Sequence, residues 1–109
     1  MQISDFHGID IIELSGQIDA STAPAIQTRV MDVAQSSPRL LLNMSAVSFM
    51  SSAGLRLLLQ LHRAISGNGG QLALVGLSEE LQDTMSATGF LSFFQTFPSV
   101  DAALAAFAV

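Results

Sequence analysis

Between residues 39 and 76 the chain carries a pattern that few architectures accommodate. Two short apolar runs, "RLLLNM" (39–44) and "QLALVG" (71–76), flank a leucine-rich stretch of about fifteen residues. A strand with one wet face alternates polar and apolar residues, so unbroken runs of this kind read as strands buried on both sides. The intervening segment spaces its leucines for a helix from Ser52 to about Ser66, and "GNGG" (67–70) stops it with residues that tolerate positive φ. Strand, helix and second buried strand make a βαβ unit, whose strands are parallel and whose crossover is right-handed. The centre of a sheet follows.

The flanking segments extend this unit. "QISDF" (2–6) and residues 10–15 surround a glycine-containing turn at His7-Gly8-Ile9 and predict a hairpin. "GQIDASTAP" is expected to be a loop in which Ser21 or Thr22 caps a helix, with Pro24 in the first turn where its missing N–H is harmless. Ile26, Val30 and Val33 share one face of that helix. The polar "SAVSF" is expected to break the chain after the strand at 39–44. Ser78, followed by Glu79 and Glu80, begins a third helix that Gly89 ends; "SFFQTF" supplies a last strand, and Ser99 caps the small-residue helix "VDAALAAF". The order β-β-α-β-α-β-α-β-α describes a layered α/β domain: a mixed sheet of about five strands with about four helices packed on it.

A chain of 109 residues fits one domain, 1–109, with no internal repeat or linker. Half its residues are hydrophobic and 12% are charged, which argues for a compact globule rather than disorder. Nine acidic residues against four arginines and no lysine leave a formal charge of −5, which repels nucleic-acid phosphates and anionic lipid. Neither direct nucleic-acid binding nor membrane insertion is expected: no apolar run approaches spanning length, and the N-terminus lacks the basic and apolar regions of a secretion signal. With no cysteine there is no disulfide or thiolate metal site, which suits a cytoplasmic protein.

The junction "FMSSAGLRLLL" (49–59) sets two hydroxyls before the leucine-rich helix. The first N–H groups of a helix have no internal acceptor, and the dipole there favours negative charge. With Ser51 as the N-cap, Ser52 becomes the first helical residue, its hydroxyl at the exposed rim where loop meets helix, and Gly54 leaves room for close approach. Ser52, Arg56, Gln60 and Arg63 form one stripe, apart from most of the leucines. A phosphoryl group on Ser52 is within reach of both the helix N–H groups and Arg56, whereas a partner docked over the rim has to desolvate a dianion. On the residues alone, a capped and solvated helix start is the simpler account.

"NMSAVSFMSSAGLRLLL" (43–59), together with "LSGQIDASTAPAI" (14–26), resembles the STAS domain family, in particular the bacterial anti-sigma factor antagonists, over almost the whole chain. The family pattern is Asp-x-Ser-x-Val/Leu-x-Phe/Tyr-hydrophobic-Asp-Ser-Ser/Thr-Gly-Leu, and its phosphorylated serine, the one after the second Asp, matches Ser52. The resemblance implies a non-enzymatic switch without a cofactor. The unphosphorylated protein binds an anti-sigma factor that is also a serine kinase and so frees the sigma factor. Phosphorylation breaks that complex, and a PP2C-type phosphatase restores it. Asp19, in "GQID", matches the family's second partner-facing loop. Its partner face then comprises Asp19, Ser51, Ser52, Ala53, Gly54 and Arg56. Asn43 and Ser51 stand where the family commonly has its two Asp residues, and Ser51 becomes a rival acceptor.

Other constellations lead elsewhere or nowhere. His7 and His62 form no ligand set, and His62 lies ten residues along the helix from Ser52, about 15 Å away, too far for a catalytic dyad. "GNGGQ" lacks the Gly-Lys-Ser/Thr of a phosphate loop. Glu79 and Glu80 are adjacent, do not face one another, and suit a helix's first turn better than paired acid–base work. Leu57, Leu61 and Phe90 through Phe94 are expected in the core. Two further classes stay open: a constitutive scaffold or accessory STAS domain of a signalling or transport complex, and a small-ligand module.

Overall fold

A computed structural model describes residues 1–36 and 38–107. Five strands, β1 (Gln2–Phe6), β2 (Ile9–Ile18), β3 (Arg39–Met50), β4 (Gln71–Val75) and β5 (Gln95–Phe97), lie in the order β1-β2-β3-β4-β5. β1 is antiparallel to β2, and every other neighbouring pair is parallel. Helices α1 (Ala23–Ser36), α2 (Ser52–Gly67) and α3 (Glu79–Ala87) connect the parallel strands, and α4 (Val100–Phe107) follows β5.

The leucine run of β3 shows how the layers form. Leu40 and Leu42 belong to the larger core, with Ile12, Leu14 and Leu74 from the neighbouring strands and Val30, Leu58, Leu61 and Met85 from the three connecting helices. Leu41 turns the other way, into a smaller core with Ile9, Ala73, Val75 and, from α4, Ala103 and Phe107. Successive residues of a strand point to opposite faces, so an apolar face on each side requires helices on each side. The buried central strands and the βαβ unit are as expected from the sequence.

The boundaries differ in three places. β2 continues to Ile18 rather than ending near residue 15: two register irregularities, between Glu13 and Ser15 and between Gly16 and Gln17, carry the pairing through a Gly16 at φ +78°. β3 continues alongside it to Met50, through the "SAVSF" expected to break it. In that extension Val47 and Met50 are buried while Ser45, Ala46, Ser48 and Phe49 are exposed, so the core supports one side only and the segment reads as polar. β5 is shorter than "SFFQTF", because Leu91–Phe93 forms a 3-10 turn before it. The placement of Phe90 through Phe94 in the core is corrected accordingly: Phe94 is buried, Phe90 and Leu91 are half-buried, and Phe93 is 53% exposed. Leu57 and Leu61 are buried as expected.

The helix ends follow from local chemistry. Ser78 Oγ accepts from the Leu81 N–H (3.1 Å) and Ser99 Oγ from the Ala102 N–H (3.1 Å). At the end of α2 the Gly70 N–H reaches back to the Ile65 carbonyl (2.8 Å), with Gly69 at φ +75°. Among the described residues no helix is long and apolar enough to cross a membrane.

Candidate functional site

The extended ends of β2 and β3 bring two distant segments together. Ile18 pairs with Met50, and one residue later the Ser51 N–H donates to the Ile18 carbonyl at 2.9 Å. The β2–α1 loop (19–22) and the first turn of α2 therefore leave the sheet side by side.

Gly54 allows this closeness. A Cβ at that position would meet the Met50 side chain and stand 3.1 Å from the Ile18 carbonyl oxygen. The space it clears is filled from within the molecule: Gly54 is buried, so the close approach is that of helix to strand, not of a partner's surface to the glycine. It shapes the rim from below.

At the rim the two serines divide the work. Ser51, in extended backbone, is the N-cap, and its Oγ accepts from the Ala53 N–H at 3.2 Å. Ser52 is exposed, and its hydroxyl makes no hydrogen bond among the described residues. Ala53 is half-buried beside it. One turn on, Arg56 is exposed and makes no ion pair or hydrogen bond with a described residue. Arg56, Ala53 and Leu57 form one wall of a cleft of about 300 Å³, with Ala20, Ala23 and Pro24 of the α1 side opposite. At its end Gln27 Nε2 donates to Gln60 Oε1 at 2.6 Å and ties α1 to α2.

The loop beside this rim is organised by Asp19 rather than by Ser21 or Thr22, the expected caps. Asp19 Oδ1 accepts from the Ser21 Oγ (2.7 Å), the Ser21 N–H (2.9 Å) and the Thr22 N–H (3.1 Å). Its carbonyl oxygen takes the Ala23 N–H at 2.8 Å. The Thr22 hydroxyl turns back instead, accepting from the Asp19 N–H (2.9 Å) and donating to the Gln17 carbonyl (2.9 Å). The hydroxyl of Ser21, followed by the main-chain N–H groups of Ser21 and Thr22, holds the Asp19 carboxyl below its usual range, because each donates to the charged form. The loop thus presents a stable anion at a defined position.

The family's first Asp position is also explained. Asn43 Oδ1 accepts from the Ser45 N–H (3.1 Å) and the Ser45 Oγ (2.6 Å), bonds that need an acceptor oxygen but no charge. Ser45 in turn packs on Gly76, which has φ +71° and where a Cβ would strike the Ser45 side chain. Asparagine preserves this brace between β3 and β4.

Two features of the site escaped the reading of the sequence. Gln27 and Gln60 are 33 residues apart and carry no pattern that pairs them. Phe49, two residues before the cap, is 51% exposed; its place in "SAVSF" reads as part of a break after the strand rather than as the outward side of one. His62 packs its ring against Phe93 and Phe94, with centroids 6.2 and 5.4 Å away. Among the described residues no group of three or more His, Cys, Asp or Glu is placed to hold a metal.

Comparison with known proteins agrees with the fold. Residues 1–103 match the family model described as the STAS domain. The chain is similar to BtrV of Bordetella bronchiseptica, named as an anti-sigma factor antagonist, at 30% identity over 101 residues, covering 92% of this chain and 87% of that one. It is 30% identical over 78 residues to the anti-sigma-B factor antagonist of Bacillus subtilis, covering 72% of each. Among solved structures it is similar to an anti-sigma factor antagonist from Mycobacterium paratuberculosis, with 31% identity, a TM-score of 0.85, and coverage of 96% of this chain and 90% of that one.

Proposed function

The chain belongs to the STAS domain family, and from that premise we propose that it is an anti-sigma factor antagonist switched by phosphorylation of Ser52. The bare protein binds an anti-sigma factor that is also a serine kinase, in the cytoplasm, through a face made of Asp19, Ser51, Ser52, Ala53 and Arg56. The relatives named as antagonists support the role. The observation that carries the choice of residue is the division of labour at the rim: Ser51 is engaged as the cap while the Ser52 hydroxyl is exposed and unbonded.

The chain contributes an acceptor and a surface, not catalysis. The kinase transfers the γ-phosphoryl group of ATP to Ser52 Oγ, the serine proton leaves to a base on the kinase, and ADP departs. A PP2C-type phosphatase hydrolyses the ester, returning the hydroxyl and inorganic phosphate. The ester brings about −1.5 to −2 charges to the positive end of α2, where helix N–H groups and dipole stabilise it by roughly 0.3–2 kcal/mol. Covering that dianion with a surface not shaped to pair it costs several kcal/mol. Folding therefore survives the modification and docking does not.

Incubation with the kinase and ATP, followed by mass spectrometry, tests the assignment. Ser52→Ala is expected to abolish the added phosphoryl mass; label that moves to Ser51 in the parent, or that persists in Ser52→Ala, refutes it. Undiminished binding of the anti-sigma factor by Ser52→Glu and by the phosphorylated protein would place the chain with constitutive scaffolds instead.

A further inference from the structure

Nine acidic residues and four arginines share this chain, yet Arg56 is exposed and makes no ion pair or hydrogen bond with a described residue. Asp19, the acid on the adjoining loop, instead accepts at Oδ1 from the Ser21 hydroxyl and from the N–H groups of Ser21 and Thr22. Arg56 follows Ser52 by four residues on α2, and residues so spaced are neighbours on a helix face, about 5–6 Å apart at Cβ. Helical Cα–Cβ bonds tilt toward the N-terminus, which leans the arginine stem toward the turn of Ser52. An anion one turn before a cation is also the favoured order for such a pair. The other arginine of α2, Arg63, is eleven residues from Ser52, about 16 Å along the axis.

The same guanidinium borders an apolar recess. Arg56 lines the cleft of about 300 Å³ together with Ala20, Ala23, Pro24, Ala53 and Leu57. The Gln27–Gln60 hydrogen bond of 2.6 Å fixes α1 against α2 at its end, so the two glutamines are engaged with each other. The cleft thus offers one positive charge beside small apolar side chains. An acidic side chain next to an apolar one matches that combination.

Resting on Ser52 as the phosphoacceptor, we propose that Arg56 is the exchange point of the switch: in the bare protein it receives a carboxylate of the docked anti-sigma factor, and in the phosphorylated protein the Ser52 phosphoryl group takes it. The two anions compete unequally. The phosphoryl group carries about −1.5 to −2 charges and three acceptor oxygens, against the single charge of a carboxylate. It is also tethered four residues from the guanidinium, at the high effective concentration of an intramolecular partner, whereas the carboxylate has to arrive with another molecule. Phosphorylation therefore acts twice: it adds a charge that the partner's surface must desolvate, and it removes a cation that this surface was shaped to meet. Arg56 is in this way a specificity-determining residue, selecting an anti-sigma factor that presents an acidic side chain beside Ser52.

Protein carrying phosphoserine encoded at position 52, made without any kinase, tests the intramolecular pair. In a phosphorus NMR titration the second pKa of the phosphate, ordinarily about 6, is expected to be higher in Arg56→Gln than in the parent by about 0.3 or more, and unchanged in Arg63→Gln. Equal values in the parent and Arg56→Gln would overturn the proposal. Calorimetric titration with the anti-sigma factor tests the exchange. Arg56→Gln is expected to weaken binding of the bare protein about tenfold, and its further loss on phosphorylation is expected to be smaller than the parent's by about the same factor. A bare Arg56→Gln that binds like the parent, or equal losses on phosphorylation, would likewise overturn it; a merely structural role for Arg56 leaves the two losses equal. If no anti-sigma factor bound at all, the function proposed above would fall together with the exchange, while the phosphorus titration would still decide whether Arg56 takes the phosphate.

Discussion

Helices α2 and α3 begin with the same device and then diverge. Ser51 and Ser78 both sit in extended backbone and both accept from an N–H of the first turn, at 3.2 and 3.1 Å. α3 then places Glu79 and Glu80 in that turn, whereas α2 has no acidic residue there, although acids outnumber basic residues more than two to one along the chain. The dipole at α3 is met by permanent charge; at α2 no acidic side chain meets it, which suits the phosphoryl group proposed for Ser52. α2 also has six buried residues against two for α3, and is pressed onto the strand ends through Gly54. An added charge at the start of α2 therefore acts on whatever docks there and hardly on the helix itself.

The sharpest way to break this contrast is to add the charge. Stoichiometric phosphorylation of Ser52 is expected to weaken anti-sigma factor binding at least about 100-fold, as several kcal/mol of uncompensated burial requires. Removing the permanent charge at α3, by Glu79→Gln with Glu80→Gln, should leave the affinity within about twofold. Titration calorimetry reads both, and equal effects at the two helices would dissolve the distinction.

The seating of α2 is tested by Gly54→Val, whose branched side chain has to displace Met50 and the Ile18 strand. A loss of about 1–3 kcal/mol or more is expected in urea unfolding, against less than about 0.5 kcal/mol for the exposed Glu80→Ala. Parent-like stability in Gly54→Val would mean that the helix is not held there. Smaller again are the caps: Ser51→Ala and Ser78→Ala should each cost about 1 kcal/mol, and Ser51→Ala should still accept phosphate at Ser52. Loss of labelling in that variant would assign Ser51 more than a capping role.

The smallest effect concerns the start of α1, where the anion comes from the loop. The folded-state pKa of Asp19 is lowered by the donors around it, so its contribution to stability is complete above the unfolded value of about 3.9 and disappears as pH falls through the lower folded value. Asp19→Asn should therefore be less stable than the parent at neutral pH, the gap narrowing below about pH 4. Thermal unfolding followed from neutral pH to about pH 2 measures the gap, and one that widens on acidification would contradict the hydrogen-bond pattern.

Much of this contrast was legible in the chain itself. Ser51 followed by Ser52 before a leucine stripe predicts a cap and a free hydroxyl, and Ser78 with two glutamates predicts an acid-filled turn, because caps and dipoles act within one helical turn. The placement of Asp19 beside Ser52 was supported by family resemblance alone, since it depends on the parallel pairing of Ile18 with Met50, 32 positions along the chain. The extension of β3 was hidden because four of its six side chains, Ser45, Ala46, Ser48 and Phe49, face no core. Phe93 misled for the opposite reason: an aromatic cluster implies burial, yet a 3-10 turn directs one ring outward.

What the sequence determined by itself was everything governed by neighbours a few residues apart: the apolar runs, the helix periods, the caps and the turn glycines, and through them the βαβ order. Only the tertiary structure decided which face each strand end presents, that Gly54 serves the inside of the molecule, and that Gln27 clasps Gln60. Those features arise from contacts between segments remote in the chain, and the free energy that selects them is that of packing and pairing across the sheet, to which no local pattern is sensitive.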